Sequence, residues 1–246
     1  MTEAKDPRAA EPPAEIDVWS VSLPRALDQT QVSACHAVMP PGEREAAARF
    51  RDPGRRDQAI VARALSRKAL SLRLGVNPEG LMFETGENGR PCLAAGQTAR
   101  NVDFNLAHTE GFVVCAVAEN LRIGVDVEPL ARADDLREVS PRFLSPSEGT
   151  TLQQLDRAGQ IAWLPRLWTC KEAYAKALGL GLSAPLQELS FRVTPQAADG
   201  PVHCTNSADW SFRSWTTGTG HCLALAWPAA SRAPRVTLRD GRALVF

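Results

Sequence analysis

Trp168-Thr169-Cys170-Lys171-Glu172-Ala173-Tyr174-Ala175-Lys176, taken with Gly124-Val125-Asp126-Val127-Glu128 upstream, decides how this chain folds around its polar residues. The earlier stretch alternates Ile123, Val125 and Val127 with Asp126 and Glu128. Successive strand side chains point to opposite faces, so this period sets both carboxylates on one face of a strand. The later stretch lacks Gly and Pro and is rich in helix formers, which predicts helix; Glu172 and Lys176, four apart, then share a face. If strand and helix pack together, three carboxylates converge beside a lysine. Hard oxygen donors in that number suit Mg²⁺, which keeps waters and shares itself with substrate phosphates. The same letters also suit a solvated strand edge and a surface Glu–Lys pair, and spacing alone leaves both readings open.

Ile16 to Leu23 alternates and reads as a strand, and residues 28–38 as a short helix. After Pro40-Pro41, Glu43 to Phe50 and Arg55 to Leu74 read as helices, the second ended by Gly75. Ile60, Ala64, Leu65, Leu70, Leu72 and Leu74 form its apolar side, with Arg63, Arg67 and Arg73 at polar positions. Leu81 to Glu84 is a short strand before the turn-rich residues 85–91. Phe104–Ala107 and Phe112–Ala118 are strands about a loop, His108–Gly111. The second continues through Glu119–Arg122 into strand 123–128 as a hairpin. Residues 129–142 are a charged connection, Ser145 caps a helix that Pro146 and Glu148 suit, and a helix over 160–178 stops at Gly179-Leu180-Gly181. The rest reads as β at 186–193, 209–216, 221–227 and 235–246, with Gly200-Pro201 and Gly218-Thr219-Gly220 as turns. Polar, Pro-rich residues 1–14 predict a disordered tail.

With 246 residues the chain can bury one large core or two ordinary ones. Lys+Arg 28 balance Asp+Glu 28, so no overall basic field points to nucleic acid. Lysine is confined to Lys5, Lys68, Lys171 and Lys176, and the last two fall in the helix that opened this reading. Six cysteines are scattered without a CxxC, as expected in a reducing cytoplasm. The first residues do not read as a signal segment, and apolar runs are too short for a membrane span.

Ile123 to Glu128 and Trp168 to Lys176, in this order, resemble the two signature motifs of the 4′-phosphopantetheinyl transferases, most closely the larger surfactin-synthetase-activating (Sfp) type. Gly89-Arg90-Pro91, Phe104-Asn105-Leu106-Ala107-His108-Thr109, Phe143-Leu144-Ser145-Pro146-Ser147-Glu148 and Gly179 to Pro185 agree as well, so the likeness spans residues 40–193. It implies an α+β fold of two similar α/β halves related by a pseudo-twofold axis, with the active site between them. The halves are expected at 15–120 and 121–246. The implied reaction moves the 4′-phosphopantetheine arm of coenzyme A to a serine of an apo acyl- or peptidyl-carrier protein, releasing adenosine 3′,5′-bisphosphate. The alternative is a coenzyme A- or carrier-binding protein without catalysis, although a binding module has no need of all of Asp126, Glu128, Glu172 and Lys176. A monomer is expected, because one chain supplies both halves.

Under this resemblance Asp126, Glu128 and Glu172 hold Mg²⁺ against the pyrophosphate. Glu172 also serves as base, directly or through water, a metal-bound hydroxide being the alternative. Lys176 stabilises or protonates the departing phosphate and contacts coenzyme A; Lys171 touches the phosphates, makes a salt bridge or lies at the surface. His108, Thr109 and Arg90 are implied contacts of coenzyme A, with Ala107 where the family has serine. The family's basic residues for the nucleotide 3′-phosphate correspond to Glu43 and Ala46, so Arg44 and Arg49 are expected to cover that phosphate. Trp168 and Phe143 read as core. Arg132, Arg137 and Arg142 are candidates for docking an acidic carrier helix.

Overall fold

The computed structural model describes residues 13–86, 89–194, 199–229 and 232–246. Residues 1–12 of the expected tail, and Glu87 and Asn88 of the expected turn, lie outside the described residues. The elements of the first half of the chain are β1 (Glu15–Ser22), α1 (Gln29–His36), α2 (Pro41–Ala48), α3 (Pro53–Leu74), β2 (Phe83–Thr85), β3 (Pro91–Leu93), β4 (Val102–Thr109) and β5 (Phe112–Glu119). They are followed by β6 (Gly124–Pro129), α4 (Ala133–Val139), α5 (Pro146–Gln154), α6 (Arg157–Leu178), β7 (Phe191–Arg192), β8 (Asp199–Cys204), β9 (Trp210–Thr216), β10 (His221–Pro228), β11 (Arg235–Asp240) and α7 (Arg242–Val245).

One sheet has the order β11-β1-β5-β4 and the other β6-β10-β9-β8-β7, while β2 and β3 pair by themselves. Alternation along the central strands shows how the layers stack. Val113, Cys115 and Val117 of β5 pack with Leu65 and Leu70 of α3. Val114, Ala116 and Ala118 face the other way and meet Leu223, Leu225 and Trp227 of β10. Ala224 and Ala226 of β10 in turn pack with Leu167, Cys170 and Ala173 of α6. Both sheets are thus covered on both faces, in the order helix, sheet, sheet, helix, which explains why β5 and β10 read as almost unbroken apolar runs.

The two outer helices repeat each other in construction. Each has 22 residues, an Asp N-cap (Asp52 or Asp156) accepting a backbone N–H, and a left-handed glycine (Gly75 or Gly179) at its end. Such caps satisfy orphan backbone groups at both termini. The fold is therefore α+β with two similar halves, as the resemblance implies.

Several expectations need correction. β6 does not form a hairpin with β5; it pairs antiparallel with β10. Asn120, at φ 55, turns the chain out of the first sheet into the second. β4 continues through Thr109, so His108 is a strand residue and not a loop residue. Gly200 and Pro201 lie in β8, and residues 186–188 form a 3-10 turn before the two-residue β7. β11 pairs parallel with β1 and gives way to α7, which leaves the last strand of the chain on the first sheet. In α3, Leu72 is 62% exposed whereas Arg67 is only 2% exposed. The Arg67 guanidinium donates to both Glu43 carboxylate oxygens at 2.9 Å and to the carbonyls of Pro78 and Leu81.

Candidate active site

Gly124 begins the site. A Cβ built there would fall 1.9 Å from the Ala173 carbonyl oxygen and 2.6 Å from the Ala177 nitrogen. Only a residue without a side chain lets β6 lie this closely on α6. Val125 and Val127 are buried between the sheets, so strand alternation turns Asp126 and Glu128 toward α6. There Lys176 Nζ donates to Asp126 Oδ1 at 2.6 Å. Glu128 Oε1 accepts from Arg132 at 2.6 Å and from the Trp168 indole at 3.3 Å. Asp126 Oδ2 and Glu128 Oε2 are buried and have no hydrogen-bond partner.

The electrostatics follow from this crowding. Burial raises Asp126, and the Lys176 ammonium opposes the shift. Burial and then Asp126 raise Glu128. Glu172 is pushed up to about 7 by burial, then by Asp126, with Lys176 opposing and Glu128 adding. Two orphaned, buried carboxylate oxygens are the environment in which a cation is most favoured, because a lone buried acceptor is costly. Among the described residues no three His, Cys, Asp or Glu side chains are set closely enough to hold a metal ion by themselves. The expected trio of Asp126, Glu128 and Glu172 is thus not drawn into one ligand group; the orphaned oxygens of Asp126 and Glu128 by themselves suit an ion such as Mg²⁺, which takes one or two carboxylates and completes its shell with water and phosphate.

Lys171, one residue before Glu172, faces the opposite way. It is fully buried, and its ammonium donates at 2.7–2.8 Å to the carbonyls of Phe143, Leu186 and Leu189 while pairing with Glu148 at 2.7 Å. The salt-bridge expectation holds and contact with phosphates does not. Glu148 is satisfied as well, by the N–H groups of Ser145 and Phe191. Phe143 packs edge-on against Trp168, with ring centroids 4.8 Å apart. Trp168 is thus both core and a donor to Glu128.

On the other half, His108 near the end of β4 lines a groove of about 660 Å³ with Phe50, Asp52, Gly54, Arg55, Gln58, Ala59 and Glu110. Gln58 fixes the groove wall by donating to the Thr109 carbonyl at 2.7 Å. Desolvation of the His108 ring, and then the Lys176 ammonium, lower its pKa.

Family models described as "4′-phosphopantetheinyl transferase superfamily" and "4′-phosphopantetheinyl transferase, N-terminal" match residues 122–226 and 27–120. The 4′-phosphopantetheinyl transferase HetI of a Nostoc species is 32% identical over 198 residues, 80% of this chain and 81% of that protein. The chain belongs to the 4′-phosphopantetheinyl transferase superfamily. The transferase Sfp of Bacillus subtilis is 28% identical over 176 residues, 72% of this chain and 76% of its own. The rat L-aminoadipate-semialdehyde dehydrogenase-phosphopantetheinyl transferase is 25% identical over 201 residues, 74% of this chain and 65% of its own.

The residues expected at coenzyme A fall in different places in this transferase. Arg44 donates to the Met39 carbonyl at 2.8 Å, Arg49 is exposed, and neither lines the groove. Arg55, in the first turn of α3, does line it. Its signal in the sequence was an arginine just after the Asp52-Pro53 helix start. Glu43 is tied to Arg67 and Arg63. Arg90, expected at coenzyme A, is enclosed by protein oxygens: Asp103, the Phe104 and Ile123 carbonyls, and the end of α6. Arg132, expected at the carrier, is bound to Glu128.

Proposed function

We propose that this transferase moves the 4′-phosphopantetheine arm of coenzyme A to a serine hydroxyl of an acyl- or peptidyl-carrier protein, with Mg²⁺ as cofactor and adenosine 3′,5′-bisphosphate as second product. The observation that carries the reading is the pair of orphaned oxygens on Asp126 and Glu128 beside Lys176 and Glu172. The rat relative's name, which joins its transfer activity to a dehydrogenase, supports a protein acceptor. Asp126 Oδ2 and Glu128 Oε2 would hold Mg²⁺, which when bound neutralises the pyrophosphate and acts as Lewis acid and template.

The chain's own residues do the rest by position and charge, as suits phosphoryl transfer. Glu172, a carboxyl raised by its burial and by the neighbouring Asp126, takes the serine proton while the serine oxygen bonds to phosphorus. The P–O bond to the adenosine bisphosphate breaks, and Lys176 meets the departing phosphate. Arg132 and Trp168 hold Glu128 Oε1 and leave Oε2 for the cation. In the groove, Arg55 and His108 offer donors to the nucleotide phosphates, and Phe50 and Ala59 give an apolar wall. Among the described residues no helix is long and apolar enough to cross a membrane. We place the enzyme in the cytoplasm as a monomer, where its unpaired cysteines are at home.

Incubation of the full chain with an apo-carrier, coenzyme A and Mg²⁺, read by intact mass, tests this. The carrier is expected to gain one phosphopantetheine on its serine. Coenzyme A binding without any mass gain would favour the non-catalytic reading.

A further inference from the structure

Arg90 sits in the Gly-Arg-Pro turn before β3, with its side chain only 8% exposed. One terminal nitrogen donates to the Lys176 carbonyl and, at 3.4 Å, to the Ala177 carbonyl, both in the last turn of α6. The other donates to the Asp103 carboxylate at 2.7 and 2.8 Å and to the Phe104 carbonyl at 3.2 Å, both on β4. It also reaches the Ile123 carbonyl, at the entry to β6, at 2.8 Å.

These three segments share no backbone ladder. β4 and β6 are edge strands of different sheets, and β4 supplies side chains where a neighbouring strand would supply backbone. Asp103 accepts the Ile123 N–H and Asn105 accepts the Val125 N–H, both at 2.8 Å. The last carbonyls of a helix are orphaned and carry its negative end, so guanidinium groups are favoured there. Arg122 joins Arg90 at this end, donating to the Ala177 carbonyl at 2.7 Å and lying 3.9 Å from Asp103. A planar guanidinium with both terminal nitrogens engaged in this way has no fork left to offer a phosphate.

We propose that Arg90 is a positioning residue of this transferase and not a ligand of coenzyme A. It locks the last turn of α6, which carries Lys176, against β4, which carries His108, and against the start of β6, which carries Asp126 and Glu128. The two sides of the site come from different halves of the chain, and the Arg90–Asp103 pair sets their spacing. Both parts of the test rest on the transferase reading above, which the wild-type chain tests separately.

Arg90→Lys, Arg90→Ala and Asp103→Asn should be compared with the wild-type chain at a temperature where each is folded by circular dichroism. Transfer kinetics give kcat and the KM for coenzyme A; calorimetry without metal gives the coenzyme A Kd. All three variants are expected to lose kcat by roughly ten- to a hundredfold, the scale on which ångström misplacement acts. KM and Kd should stay within about twofold, and lysine should not rescue, since one ammonium cannot span the same oxygens. Asp103→Asn decides the matter even where Arg90→Ala folds poorly, because it keeps the side-chain shape and one acceptor for the Ile123 N–H while removing the charge and one of the two oxygens that hold Arg90. A Kd raised about tenfold or more in Arg90→Ala, with wild-type kinetics in Asp103→Asn and rescue by lysine, would overturn the proposal. A wild-type chain that neither binds coenzyme A nor transfers the arm would reject the transferase reading itself.

Discussion

Lys171 and Lys176 lie five residues apart on one helix and do opposite work. Lys171 is sealed among backbone carbonyls and Glu148, while Lys176 reaches Asp126 at the site. Removing one partner of a buried pair leaves the other charge stranded, at about 3–5 kcal/mol. Lys171→Ala should therefore lower thermal stability strongly, by calorimetry, and Lys176→Ala less so, because Lys176 is partly exposed and the Asp126 it leaves, already raised by burial, can take up a proton; equal Tm values for the two would contradict these roles. The Asp126 and Glu128 oxygens give a second test. With coenzyme A bound, Mg²⁺ at a hundredfold excess over its Kd should add about 2.7 kcal/mol. That is a Tm rise of roughly 5–10 °C at this size. Asp126→Ala and Glu128→Ala should lose the rise, and its persistence would move the cation elsewhere. His108 gives a third, in pH. Its pKa lies below the usual 6.5, so it is largely neutral at pH 7. A phosphate beside it favours the charged form and raises that value, so binding takes up a proton. The calorimetric enthalpy of coenzyme A binding should then vary with buffer ionisation enthalpy, and His108→Ala should abolish the variation. Asp126, Glu128, Glu172 and Lys176 could be named from the sequence because spacing and motif set them on definite faces, and Arg90 and His108 because they fall in motifs. The partners of Arg90 and the groove beside Arg55 could not be read, because the oxygens around one and the walls of the other come from segments distant in sequence.

At the scale of elements, the contact between β6 and α6 is the joint on which the site depends. Gly124→Ala would put a methyl against the Ala173 carbonyl, and overpacking of this kind costs about 1–3 kcal/mol. Because it also shifts β6 along α6, transfer should fall further than stability does. A variant with a lowered Tm but wild-type kcat would show that Asp126 and Glu128 do not need this spacing. α4 offers a different kind of surface. Arg137 on α4 and Arg142 in the turn that follows it are exposed, and Arg132, just before α4, is tied to Glu128. Charge reversal at Arg137 and Arg142 should raise the KM for an acidic carrier and leave that for coenzyme A alone, while Arg132→Glu should lower kcat. Equal rises in both KM values would count against docking at α4. The helices were readable from period, from the Ser145–Glu148 start and from the closing glycines at 75 and 179, although the Asp52 cap sets the start of α3 two residues earlier than period alone suggests. Strand pairing was less so. Alternation says which face of β6 is wet and nothing about its neighbour, and β10, its neighbour, lies far along the chain.

For the whole molecule, the repeat is visible in construction and absent from the letters. α3 on β5 and α6 on β10 are the same arrangement made from different residues, since apolar size and period suffice to specify it. The halves differ in what they contribute: a groove with Arg55 and His108 on one, carboxylates and a lysine on the other. Their meeting at β4 and β6, through Asp103, Asn105 and Arg90, makes one site of two. That this joint site transfers the arm is tested most directly by single-turnover transfer to an apo-carrier. With coenzyme A saturating, the rate should rise with Mg²⁺ in the wild type and nearly vanish in Asp126→Ala and Glu172→Gln, while both variants still bind coenzyme A. Wild-type-like transfer by Asp126→Ala at limiting Mg²⁺ would contradict it.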